Sequence, residues 1–259
     1  MNPKRTMDRI WIAAFALTIL VAAHAQTAAA AKEKRGKKTE PAAKTPAVKS
    51  SDPKTGSLDQ VLHSMDENAA KFRTAQADFA WTPYNAVINS LDTPDKGRIY
   101  FRKTGNEIQM AARFQPPDGR EITFTGGKLQ VYQPTTREVN VYDAAAHKAE
   151  VETFLVLGFG SSGEDLRKSF DVKYLGQEKI GDVETGHLQL TPLADNVKRN
   201  FPRIDLWIDP QRGLSLRQQL FQTGGDYRLA DYSNIRLNDK VSESVFKIKP
   251  AGPTKTVTH

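Results

Sequence analysis

The chain has 259 residues, no cysteine and a formal net charge of +7. Without cysteine there are no disulfides to support a fold, so the core must be sufficient, and no cysteine is available to carry a lipid. The positive charge lies in the first 56 residues and leaves the remainder balanced, which argues against a nucleic-acid-binding body.

The N-terminus reads as a secretory signal over residues 1–25. Lys4, Arg5 and Arg9 precede the apolar run "IWIAAFALTILVAA", and Ala23-His24-Ala25 forms a small-x-small exit, predicting cleavage before Gln26. The apolar run is short for a membrane span of roughly 20 residues. Residues 26–56, "QTAAAAKEKRGKKTEPAAKTPAVKSSDPKTG", carry eight lysines and arginines against three acids and almost no large apolar side chain. Such a segment cannot bury enough surface to offset its ordering entropy and is expected to be a disordered tail. Its charge suits transient contact with an anionic membrane surface.

A helix is predicted in "SLDQVLHSMDENAAKFRT". Ser57 and Gln60 have capping-box spacing, and Leu58, Val61, Leu62, Met65, Ala69 and Phe72 form one apolar stripe. Beyond it the period becomes two. Strands are expected at 75–82, 97–103, 107–114, 120–125, 128–133, 137–143, 171–180, 183–192, 203–209, 214–222, 226–238 and 244–250. Short glycine-containing gaps make most of them antiparallel hairpins. One break, 144–170, holds a short helix around "KAEVETFLVL" and another around "EDLRKS".

Within that break, "GFGSSG" fits G-x-G-x-x-G. A dinucleotide site needs that motif between a parallel strand and a long helix. Here it joins two helical pieces inside an antiparallel meander, so it reads as a flexible link with Gly158, Gly160 and Gly163 as hinge positions. No other cofactor or metal pattern is present. The histidines are scattered, "GSSG" is one residue short of a nucleophile elbow, and Asp205 with Asp209, or Glu121 with Glu138, read as solvated strand carboxylates rather than acid pairs. The chain is expected not to be an enzyme.

The order of segments is more specific than any one of them: "FRTAQADFAWT", "GRIYFRK", "GGKLQVYQPTTREVNVY", "TFLVLGFG", "LQLTP", "IDLWIDPQRGL" and "YRLADYSNIRLNDKVSESVFKIKPAG". In that order, over residues 57–252, the chain resembles the LolA family of periplasmic outer-membrane lipoprotein carriers and their lipoprotein-sorting relatives. The resemblance implies a mainly β fold, an unclosed antiparallel half-barrel of about eleven strands with a helical lid. Residues 253–259 are then a C-terminal tail. It further implies a monomer in the periplasm whose partners are acylated lipoprotein or other lipid cargo, an inner-membrane donor and an outer-membrane acceptor. An envelope sensor or scaffold on the same fold is the alternative, with a hydrolase behind it.

Strand parity nominates the cavity wall for such cargo. Phe79 pairs with Trp81 on one face, Ile99 with Phe101, Ile108 with Met110, Ile122 with Phe124, and Leu129 with Val131; Ile204, Leu206 and Ile208 share another. The same residues suit a packed core equally well. The family's inward arginine, which holds the lid backbone, aligns with Lys103, and Arg102 is its neighbour on the opposite face.

Overall fold

The computed structural model describes residues 57–250 and 252–259. The signal segment and the basic tail lie outside the described residues.

Helix α1 (Leu58–Lys71) begins where its cap predicts, with the Ser57 hydroxyl accepting the Gln60 N–H at 3.2 Å. Its stripe of Val61, Leu62 and Met65 is buried. The chain then alternates through β1 (Thr74–Asn85), β2 (Ser90–Leu91), β3 (Asp95–Thr104), β4 (Glu107–Phe114), β5 (Glu121–Thr125), β6 (Lys128–Gln133) and β7 (Glu138–Asp143). In β1 every second residue, Ala75, Ala77, Phe79 and Trp81, is buried, the period-two signature of a sheet with one covered face. Helices α2 (Lys148–Leu155) and α3 (Gly163–Ser169) follow. The chain continues through β8 (Phe170–Ile180), β9 (Val183–Pro192), the single turn α4 (Asp195–Lys198), β10 (Arg203–Asp209), β11 (Leu214–Phe221), β12 (Tyr227–Leu237) and finally β13 (Lys255–Thr258).

The strands form one 13-stranded sheet in the order β13-β7-β6-β5-β4-β3-β1-β12-β11-β10-β9-β8, with β2 attached to β1. Because β13 and β8 end the order without meeting, the sheet is an unclosed half-barrel. Its middle is the pairing of β1 with β12, which brings the first and last long strands together in antiparallel register, Trp81 opposite Ala230.

Besides the short β2 and α4, which no pattern announced, two segments differ from expectation. Residues 244–250 do not form a strand. Glu243–Phe246 make a 3-10 turn capped by Ser242, and the chain then runs as a strap over the outside of β4 and β5. The strap is fixed by the Arg113 guanidinium, which donates to the carbonyls of Val245 and Lys247 at 2.6 and 2.7 Å. Residues 253–259, expected to trail, contain β13, which pairs in parallel with β7 from Lys255 opposite Glu138 to Thr258 opposite Val141. "KTVT" has no apolar alternation to announce a strand. Its pairing energy comes from satisfying the backbone of an exposed edge.

The concave face carries two cores. Val61, Leu62 and Met65 of α1 pack with Leu188, Leu190, Ile204, Leu206 and Ile208 of β9 and β10. Phe79, Ile99, Phe101, Met110, Ile122, Phe124, Leu129 and Val131 pack beneath α2 with Val151, Val156 and Phe159. Helix α1 also rests on the β10–β11 turn, where Gly213 has φ +61° and an added Cβ would stand 2.0 Å from the Ser64 carbonyl oxygen. Gly105 has the same φ with nothing within 4 Å. Gly105→Ala therefore carries only the left-handed penalty of about 1–2 kcal/mol. Gly213→Ala must also displace α1 and is expected to cost about 3 kcal/mol or more. Urea denaturation of the two variants measures the difference.

Candidate functional site

The lid is built from α2 and the link after it. An i,i+4 pair of Lys148 and Glu152 at 3.6 Å supports this short helix from outside. Val151, Phe154 and Leu155, with Leu157 and Phe159 from the link, face the sheet. Opposite them stand Trp81 of β1, Ile99 and Phe101 of β3, Met110 of β4, and the inward residues of β11 and β12. Between lid and sheet lies an apolar cavity of about 90 Å3. An apolar cavity of roughly 150 Å3 holds a benzene molecule, so this space as it stands is too small for an acyl chain. Aromatic rings occupy the closed interface: Phe159 lies 5.2 Å from Phe101 and meets Tyr232 edge-on at 4.8 Å.

The lid is held by few polar contacts. Gln218, buried on β11, donates from Nε2 to the Leu157 carbonyl at 2.7 Å and accepts from the Tyr232 hydroxyl at 3.3 Å. Burial pushes the Tyr232 hydroxyl well above the ordinary phenol range, so it stays a neutral donor. At the other edge the Glu152 carboxylate accepts the Ile108 N–H of β4 at 3.2 Å.

Trp81, Ile99, Phe101 and Met110 are the predicted wall residues that the structure brings to the cavity. Phe79 stacks against Trp81 and Phe114 at one end, while Ile108, Ile122, Phe124, Leu129 and Val131 form packed core beneath the lid. Ile204, Leu206 and Ile208 belong to the core under α1, because that helix already fills the concavity over β9 and β10. Sequence reasoning missed the other wall residues. The lid's own side chains were read only as an apolar run. Gln218, Arg228, Ala230 and Tyr232 have the alternation of an inward face, but strands β11 and β12 were not nominated for the wall.

None of the latch or hinge candidates lines the cavity. Arg102 points to the outer face, donating to Gln109 Oε1 at 2.8 and 2.6 Å and lying over the Phe246 ring. Lys103 is exposed at the end of β3, beside a surface depression that Lys71 and Arg73 also line. The lid contacts expected of them are made by Gln218 and Glu152. The link glycines are closely packed. A Cβ on Gly158 would meet Ser215 at 2.6 Å, on Gly160 the Phe72 ring at 2.7 Å, and on Gly163 Leu62 at 2.7 Å. The link is pinned further to α1: Asn68 donates to the Phe159 carbonyl at 2.6 Å, and Asp66 accepts the Gly163 N–H at 2.8 Å.

The carboxylates read as solvated are engaged instead. Asp205 is buried on the outer face of β10 between Arg203 and His187. Burial alone would raise its carboxyl, but the hydrogen bonds from Arg203 and His187 hold it below the ordinary range. Asp209 accepts the Gln211 N–H in the β10–β11 turn, and Glu121 pairs with Arg113. Among the described residues no cluster of histidines and carboxylates could hold a metal ion.

An open antiparallel sheet closed by a helical lid over an apolar cavity defines the class of lidded half-barrels. The model of the outer membrane lipoprotein carrier protein LolA matches residues 70–249, and the chain belongs to that family. Solved structures with a similar fold include an uncharacterized conserved protein from Thermus thermophilus, 13% identical with TM-score 0.48, matched over 78% of this chain and 98% of that one. Another is a DUF1329 family protein from Desulfovibrio piger, 14% identical with TM-score 0.43, over 74% of this chain and 98% of that one. A LolA superfamily protein from Nitrosomonas europaea is 16% identical with TM-score 0.36, over 73% and 97%. No curated protein matches the chain.

Glu152→Ala removes the acceptor for the Ile108 N–H, and Glu152→Gln retains one. Hydrogen exchange at the Ile108 amide is expected to speed up about tenfold in the first variant and little in the second, with global stability nearly unchanged in both.

Proposed function

We propose that this protein is a periplasmic carrier that takes the acyl chains of lipoproteins or related lipids into the cavity under α2 and ferries them from the inner to the outer membrane. The observation that carries this reading is the apolar space between lid and sheet, walled by aliphatic and aromatic side chains and closed by hydrogen bonds that include those of Gln218 and Glu152. Membership of the LolA family supports it. The predicted signal segment supports export.

The energetics suit reversible carriage. A 16-carbon chain left in water costs roughly 12 kcal/mol at about 0.8 kcal/mol per methylene, so a carrier must surround it. Opening α2 exposes Val151, Phe154 and Leu155 unless the chain replaces what they covered. Cargo therefore competes with the protein's own side chains for one apolar surface. The lid supplies the closure, and an inner-membrane donor and outer-membrane acceptor supply the two ends of the route.

Native mass spectrometry of the protein purified from an envelope fraction is expected to show bound acyl lipid. Phe101→Glu places a carboxylate against the chain's path. Water in the adjacent cavity can solvate it in the empty protein, but hydrocarbon cannot. The variant is expected to fold and to bind a fluorescent fatty acid more than about tenfold more weakly. If it unfolds, Leu155→Glu on the partly exposed lid places the same charge at the cavity without replacing a sheet residue. Full binding by a folded variant overturns the reading.

A further inference from the structure

One side chain of the cavity wall has chemistry that an acyl chain alone does not use. Arg228 of β12 faces inward with Ala230 and Tyr232, and it lines the same apolar space as Trp81 and Leu220. Its Nε is buried and has no hydrogen-bond partner. The residue as a whole is partly exposed, so the guanidinium meets water as well as the cavity wall.

The charged groups nearest to it are already engaged. Asp95 binds Arg120 at 3.2 Å, and Asp226 accepts the Ala86 N–H at 2.8 Å. Arg120 itself is buried over the Phe114 ring between Asp95 and Asp118, and its charge adds to the repulsion felt by Arg228. Burial and then Arg120 pull the Arg228 guanidinium below its ordinary range, with Asp95 and Asp226 opposing. Among the described residues no carboxylate forms an ion pair with Arg228.

A guanidinium that is half desolvated and unpaired is costly in a folded protein. It presents a planar set of donors that matches a carboxylate or phosphate. Resting on the carrier reading above, we propose that the cargo is an anionic amphiphile whose carboxylate or phosphate head is received by Arg228 while its chain lies along Trp81, Ile99, Phe101 and Met110. The head would then stay at the wet end of the cavity and set the direction in which the chain enters. A neutral head leaves the guanidinium unpaired and adds its own desolvation cost.

The test compares probes that share one 16-carbon chain: hexadecanoate, hexadecyl phosphate and hexadecanol. Each displaces a fluorescent probe from the full mature chain. The wild-type protein is expected to bind the anionic chains at least about tenfold more tightly than the alcohol, the size of one charge-assisted hydrogen bond. A preference between hexadecanoate and hexadecyl phosphate separates a carboxylate source from a phosphate one. Arg228→Met keeps the length and apolar stem of the side chain and is expected to abolish the discrimination, the two anionic chains losing their advantage over hexadecanol. Arg228→Lys is expected to retain part of it.

Equal binding of all three chains by the wild type overturns the head-group assignment and leaves the carrier reading standing. Failure of the wild type to bind any of them overturns the carrier reading and this inference together. The wild-type comparison needs no variant, so misfolding of Arg228→Met does not remove the test.

Discussion

The fold is governed by a mismatch between one large concave sheet face and the short helices available to cover it. An open sheet of 13 strands presents a continuous apolar hollow, and no single helix among the described residues is long enough to fill it. Helix α1 has 14 residues, about 21 Å at the usual rise. It covers β9 and β10, and the rest of the hollow is left to α2 and its link. The two covers have different characters. Gly186 and Gly213 bring β9 and the β10–β11 turn against the backbone and side chains of α1, so that contact is permanent core. Helix α2 has only eight residues and meets the sheet across an incompletely filled space.

From this division follows a ranking of local stabilities. The link after α2 is tied to α1 by Asn68 and Asp66, and to β11 by the Ser215 N–H, which donates to the Gly158 carbonyl at 2.6 Å. Its C-terminal end is thus part of the rigid body. The N-terminal end of the lid depends on Glu152 and on apolar contact. A typical hydrogen bond contributes only about 1 kcal/mol net, so opening from that end is within reach of local fluctuation while the α1 core stays closed. Gly158, Gly160 and Gly163 lie on the pinned side of this lid, each closely packed against a neighbouring side chain.

Much of the sheet was legible because its strands obey alternation. Residues 107–114, 128–133, 183–192 and 203–209 are strands with the bounds their patterns predict. The capped helix at Leu58 and the two helical pieces around the glycine-rich link were legible for equally local reasons. What failed required knowledge of partners distant in sequence. "SVFKIKP" alternates like a strand but meets Arg113 before it meets a ladder, and "KTVT" does not alternate yet finds the free edge of β7. In the site, parity named the inward faces but not which cover each face would receive. Ile204 and Ile99 look alike in sequence, and only the position of α1 assigns one to core and the other to cavity wall.

Polar residues on the strands are the hardest to place from sequence. Alternation assigns a charged side chain to solvent, whereas an open half-barrel has two partly covered faces. On the convex side Asp205 is 1% exposed because Arg203, His187 and the Trp207 ring stack around it. On the concave side Gln218 is buried because it satisfies a lid carbonyl, and Arg228 is partly buried without a comparable partner. The first two are satisfied within the chain, as buried polar groups ordinarily are. Arg228 differs from them in kind. Its Nε is buried without a partner, and an unpaired buried donor opposes folding. Its presence in the wall of the lidded cavity makes stability the weaker explanation and recognition the stronger one.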